Sequence, residues 1–197
     1  MKKYSVGIDL GGTKILIALV NKQTGEILHH VKKKTKKQKG PENIMKKMIE
    51  GIEELLEESR ISVEEISSIG VGAAGQIDRK NGILIGAPNL DCFNLNIKNI
   101  LEKHFNLPVY LGNDVEIAAI GEMKFGSGKG CKDFVCIFVG TGVGSCIVKN
   151  GAIIYGATGT AGEIGHIIVD LNGRQCACGA HGCLEAYASR SAIETRI

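Results

Sequence analysis

Three cysteines fall close together in the order Cys176-x-Cys178-x4-Cys183. Thiolates at this spacing suit a tetrahedral zinc ion, which needs a fourth ligand. His166 and His181 are the nearby candidates. A closed site of this kind would staple the loop between a strand expected at 167–169 and a helix starting near Cys183, and would perform no chemistry itself. The plainer reading is three incidental thiols in a reducing compartment. The chain has 7 cysteines, an odd number, and no export signal is expected at its start, so a disulfide framework does not suit it. Glu163, His166 and Glu185 flank the cluster. They read either as surface groups or as hydrogen-bond partners for vicinal hydroxyls, positioned by the metal staple.

A second constellation is Leu111-Gly112-Asn113-Asp114, at a strand end leading into a helix. Asp114 can cap that helix, or it can act as a base toward a hydroxyl that Asn113 orients. Glycine turns supply a third. Gly7-Ile8-Asp9-Leu10-Gly11-Gly12-Thr13-Lys14 ends in the order Gly-Thr-Lys, and a strand follows it. A P-loop ends in Gly-Lys-Ser/Thr and opens a helix, so this is not one. It is instead a hairpin turn whose N–H groups and Thr13 hydroxyl can face a phosphate, with Asp9 placed to hold Mg²⁺. The alternative is an ordinary glycine hairpin with a solvated aspartate. Gly140-Thr141-Gly142-Val143-Gly144 repeats the theme, and two such turns would clamp a polyphosphate from both sides. Gly70-Val71-Gly72-Ala73-Ala74-Gly75 fits a dinucleotide fingerprint, but no amphipathic helix follows it, so a Rossmann site is rejected.

The elements that must position these groups follow from hydrophobic pattern and turn residues. Strands are expected at 4–10, 15–20 and 26–31. A helix opens at Pro41, with Ile44, Met48, Ile52, Leu55 and Leu56 on one face. Further strands are expected at 66–73, at 83–85 after an Asn81-Gly82 turn, and at 109–111. Helices are expected at 96–105 and 114–124. Gly126 to Gly130 is the linker candidate, and strands at 134–139 and 144–148 follow. The repeat of strand, glycine turn and strand suggests two lobes of like topology. Lys32 to Lys39 is a charge run without aromatic residues, read as a solvated strand end and loop.

Composition narrows the classes of function. With 24 basic and 21 acidic side chains the net charge is +3, too small for a nucleic-acid footprint. No apolar run approaches the ~20 residues of a membrane span. An acid and a glycine pair so near Met1 do not suit a signal peptide, and a cytoplasmic protein is expected. Glycine, at 27 of 197 residues, fits backbone that must approach a ligand.

Taken together, the residues resemble the ROK family (repressor, open reading frame, kinase), and within it the sugar kinases of glucokinase type. The matching stretches are Gly7 to Lys14, Gly112 to Glu122, Gly140 to Gly144, Ala161 to His166 and Cys176 to Ala186. The resemblance implies an α/β, actin-like ATPase (ribonuclease H-like) fold of two lobes, 1–122 and 123–197, each with a mixed sheet and the second incomplete. It implies ATP-dependent phosphorylation of a hexose, with Asp114 as general base. Asn113, Glu163, His166 and Glu185 would hold the sugar. Gly11, Gly12, Thr13, Lys14, Gly140, Thr141 and Gly142 would cradle phosphates, and Asp9 would serve Mg²⁺. Cys176, Cys178, Cys183 and His166 would bind structural zinc, leaving His181 out. A homodimer is implied, with no nucleic-acid or membrane partner. Family members run well beyond Ile197, so the chain is expected to lack part of its second lobe, and a sugar-binding fragment without turnover is the alternative. A repressor carries its DNA-binding helices ahead of the first phosphate motif, which here begins at Gly7. Two departures touch the sugar side: Ala74 stands where the family has Pro, and the region of Phe93 lacks its Trp.

Overall fold

The computed structural model describes residues 2–35 and 40–196. The chain divides into two compact units, Met1–Ile117 and Ala118–Ile197.

The first unit is built on a five-stranded mixed sheet. Its strands are β1 (Tyr4–Leu10), β2 (Lys14–Asn21), β3 (Ile27–Lys34), β4 (Ile66–Ala73) and, after three further short strands, β8 (Val109–Asn113). The order is β3-β2-β1-β4-β8. β1, β2 and β3 form an antiparallel meander, whereas β4 pairs parallel with both β1 and β8. Helix α1 (Gly40–Ser59) makes the crossover to β4 and buries Ile44, Met45, Met48, Ile52 and Leu55 against the sheet. Leu56 is only partly buried at the rim of that core. Gly51 explains how closely the helix sits: a Cβ there would overlap the Ile17 side chain. Glycine inside a helix costs roughly 1 kcal/mol relative to alanine, and here the close approach offsets it. Of the lysine run, Lys32–Lys34 finish β3, where Lys33 pairs with Glu54 of α1. The remainder, 36–39, lies outside the described residues.

A small antiparallel sheet, β5 (Gln76–Asp78), β6 (Ile83–Ala87) and β7 (Cys92–Leu95), follows β4. The fingerprint glycines therefore run from strand into strand, which is why no helix N-terminus is available to a dinucleotide. Gly75 sits at φ +137° with the Gly86 carbonyl where a Cβ would stand. Helix α2 (Ile97–Phe105) leads to β8, and α3 (Asp114–Phe125) leaves it directly.

The second unit holds a three-stranded antiparallel sheet in the order β11-β10-β9, from β9 (Phe134–Val139), β10 (Val143–Lys149) and β11 (Ala152–Ile153). The strand expected at 167–169 is not formed. Ile168 makes a single bridge to Cys183, and Ile167, Ile168 and Val169 are 57%, 52% and 56% exposed. A β-branched triplet has strand propensity, but without a full neighbouring strand it stays a loop. Two short helices, α4 (Glu185–Ala188) and α5 (Arg190–Glu194), end the described chain. No helix among the described residues is long and apolar enough to cross a membrane.

Candidate functional site

In the first unit the parallel strands β1, β4 and β8 all finish at one edge of the sheet. Asp9, Gly72 and Gly112 lie side by side there in register. In open α/β sheets this carboxyl edge is where ligands bind. Asp9 is exposed, and Asn113 and Asp114 come next along the chain. The helix cap falls on Asn113: its Oδ1 accepts from the N–H of Val115 at 3.0 Å and of Glu116 at 3.4 Å. That corrects the reading of Asp114 as the cap. The Asp114 carboxylate accepts from the Val115 N–H, at 3.0 Å, and opens the helix from its first position. Burial pushes the Asp114 carboxyl up from its ordinary value, the Val115 N–H opposes this, and the charges of Asp9 and Glu116 add to it. A carboxylate moved toward working pH is a better proton acceptor. Asn113→Ala is expected to cost about 1 kcal/mol in urea unfolding through loss of the cap.

The first glycine turn follows β1 at the same edge. Gly11 N–H donates to the Lys14 carbonyl at 3.0 Å, and Thr35 Oγ1 donates to the Gly11 carbonyl at 2.7 Å. Thr13 and Lys14 are exposed. Gly12 lies against the Asn89 carbonyl, 3.1 Å from where a Cβ would stand.

In the second unit, Gly140, Thr141 and Gly142 join β9 to β10. Gly140 N–H donates to the Gly142 carbonyl at 2.9 Å, so in both turns the leading glycine closes the turn itself. Glu185 reaches this turn from α4. Its Oε2 accepts from Val143 N–H at 2.8 Å, and a Cβ on Gly142 would meet its carboxylate. Its Oε1 faces Cys176 Sγ at 3.7 Å, so one carboxylate joins turn and cysteine cluster. Glu163 is exposed and precedes the 3-10 turn Ile164–His166, whose Gly165 is pressed against the Val143 carbonyl.

His166, Cys176, Cys178 and Cys183 converge, with one ligand atom from each lying within 4.8 Å of all the others. Cys178 and Cys183 sulfurs stand 3.8 Å apart, and Cys176 Sγ lies 3.8 Å from His166 Nδ1. Tetrahedral Zn–S bonds of 2.3 Å imply S···S edges of about 3.8 Å, so the donors fit a closed zinc site. Burial raises the Cys176 thiol and pushes Cys183 up to about 11, while the Ala180 N–H lowers Cys178. His181 instead contacts the Gly173 carbonyl, Nδ1 to O 3.2 Å.

Sequence reasoning missed Arg190. Its N–H donates to the Gly140 carbonyl at 2.9 Å and its guanidinium to Thr141 Oγ1 at 3.5 Å. No motif marks it. Thr141 also lines a groove of about 600 Å³, whose polar side chains include Arg174, Gln175, Glu185, Thr195 and Arg196. Guanidinium and hydroxyl donors of this kind suit an anionic ligand.

Comparison with known proteins gives consistent matches. Residues 5–197 match the ROK family. The chain is 38% identical over 189 residues to a glucokinase of Thermotoga maritima, covering 95% of this chain and 58% of that protein. It is 34% identical over 188 residues to a xylose repressor of Caldicellulosiruptor bescii, covering 95% and 47%. The crystal structure of a ROK family glucokinase from Streptomyces griseus, in complex with glucose and AMPPNP, superposes with a TM-score of 0.82 at 36% identity, covering 96% of this chain and 58% of that one. The chain thus spans less than two thirds of the length of these relatives.

Proposed function

The chain belongs to the ROK family and has the α/β, actin-like ATPase fold of its sugar kinases, and from that premise we propose that it transfers the γ-phosphoryl group of ATP to a hexose hydroxyl, glucose first among the candidates. The observation that carries this reading is Asp114: a half-buried carboxylate at the carboxyl edge of the parallel strands, raised toward working pH, with capping left to its neighbour.

Phosphoryl transfer asks little covalent chemistry of a protein, so positioning and charge stabilisation dominate. Asp114 takes the proton of the attacking hydroxyl at its carboxylate. Asn113, Glu163, His166 and Glu185 orient the sugar. Gly12, Thr13 and Lys14 would bind phosphate at the first turn and Thr141 and Gly142 at the second, with Gly11 and Gly140 shaping the turns. Asp9 would hold Mg²⁺, which when bound supplies neutralising charge to the phosphates. Cys176, Cys178, Cys183 and His166 would hold zinc as a structural staple. An imidazole that ligates through Nδ1 keeps its Nε2–H for a sugar hydroxyl. The division into lobes at 122/123, a homodimer and a cytoplasmic setting without nucleic-acid or membrane partners belong to the same proposal.

Calorimetry with glucose and AMPPNP, paired with coupled ADP release over a hexose panel, tests it. Hexose-dependent ADP release is expected. Sugar binding without nucleotide binding would make the chain a non-catalytic sugar-binding module and end the kinase reading. The identity with the xylose repressor favours a second reading, a sugar-responsive regulator. Gel-shift binding to DNA with a sugar-sensitive midpoint would support that one.

A further inference from the structure

The turn from β5 to β6 carries a side chain that the mechanism above does not use. Arg79 grips Glu116 with a two-pronged fork: Nε donates to Oε2 at 2.9 Å and Nη2 to Oε1. The pair is largely buried, with 30% and 15% of the two side chains exposed. The turn that presents Arg79 is itself fixed. The Asp78 carboxylate accepts from the Asn81 N–H at 3.0 Å and from its amide at 2.7 Å, and Gly82 N–H donates to the Asp78 carbonyl at 2.8 Å.

Glu116 is the third residue of α3, two after Asp114. The charges acting on Asp114 are those of Asp9 from β1 and, more weakly, Glu116 from its own helix, and it is Glu116 that Arg79 pairs with. β4 and β8 bring only Gly72, Ala73, Gly112 and Asn113, none of them charged. Two carboxylates therefore bear on the third, and the guanidinium answers one of them. A planar fork on a carboxylate fixes direction as well as charge, which an ammonium does not.

We propose that Arg79 is a positioning residue for Asp114: by clamping Glu116 it fixes the first turn of α3 and cancels a negative charge there, keeping Asp114 ionised and aimed at the hydroxyl it deprotonates. The inference rests on the reading of Asp114 as the base.

The test is a carboxyl ¹³C NMR titration of Asp114 in the parent chain, Arg79→Ala, Arg79→Lys, Glu116→Gln and the double variant Arg79→Ala/Glu116→Gln, alongside the pH profile of hexose phosphorylation. Arg79→Ala is expected to move the Asp114 midpoint up by about half a pH unit, a roughly threefold loss of rate on the acid limb. Glu116→Gln should move it down. Arg79→Lys should recover part of the shift, because charge returns without the fork. The double variant, which buries no unpaired charge, should titrate near Glu116→Gln, and it carries the test if Arg79→Ala does not fold. Parent-like titration in both Glu116→Gln and the double variant overturns the inference and leaves the base assignment standing. A titration that moves while the acid limb stays fixed overturns the base assignment, and the positioning role falls with it.

Discussion

Asp114→Asn is expected to lower hexose phosphorylation by roughly 10²–10⁴-fold, the usual contribution of a positioned general base, while hexose affinity measured by calorimetry stays close to parental. An amide accepts the same hydrogen bond from Val115 but takes no proton. The same substitution should stabilise the fold. Burial, followed by the charges of Asp9 and Glu116, holds the Asp114 carboxyl above its ordinary 3.8. The folded chain therefore binds this proton more tightly than the unfolded chain does. Stability falls as pH rises from 3.8 through the raised midpoint, and the penalty is complete above it. The asparagine variant escapes that penalty, so it should melt higher than the parent at neutral pH, with the difference vanishing below 3.8. A group kept at some cost to folding is what a working site requires. Parental turnover in this variant would remove Asp114 from the mechanism.

Zinc removal is the second large effect. Protein purified without chelator is expected to carry stoichiometric zinc by elemental analysis, and Cys183→Ser to carry none. Structural zinc contributes roughly 10–16 kcal/mol of apparent binding energy in small zinc-dependent domains. In the second unit, residues 154–184 contain no regular strand, only the 3-10 turn Ile164–His166 and isolated bridges. Chelation should thus abolish the near-ultraviolet signal of Tyr155 and Tyr187 while the first unit's helices persist in the far ultraviolet. The pH dependence has opposite signs with and without metal. Ligation needs thiolates, so zinc affinity rises with pH. Without metal, burial favours the Cys183 thiol, pushed from 9.0 to about 11, so the metal-free fold weakens as pH climbs through that window. A metal-free protein with an intact tyrosine signal would show that the cluster staples nothing.

How much of this was readable from the sequence differs between the two units. The first unit's five-stranded sheet and its helices were legible, but of the small sheet only β6 was expected and β5 and β7 were missed. Alternating apolar residues at Val6, Ile8 and Leu10 gave β1 its bounds, and the Ile44–Leu55 face gave α1, because each packs on the common core that sets its period. The absence of a helix after Gly75 was visible for the same reason. The second unit was less legible. Ile167-Ile168-Val169 has strand chemistry, but pairing is a long-range fact and the triplet found only one bridge, at Ile168. The three clustered cysteines were legible from spacing, which left His166 and His181 both open as the fourth donor, whereas the position of Glu185 between Val143 and Cys176 was not legible, since nothing local fixes where a side chain on α4 will reach. Arg79 and Glu116 were equally silent: they are 37 residues apart, and only the β5–β6 turn brings them together.

Asn113 and Asp114 divide one task that either side chain could begin. The Oδ1 of Asn113 accepts from two backbone donors at the head of α3, so the carboxylate beside it, which shares the Val115 N–H, is not needed as the cap. Exchanging the two side chains would keep the amino-acid inventory, the helix and the charge. It would also make the carboxylate the cap and set an amide at the first helical position. Word order within a dipeptide, invisible to any tally of residues, therefore decides whether an amide or a carboxylate caps this helix entrance.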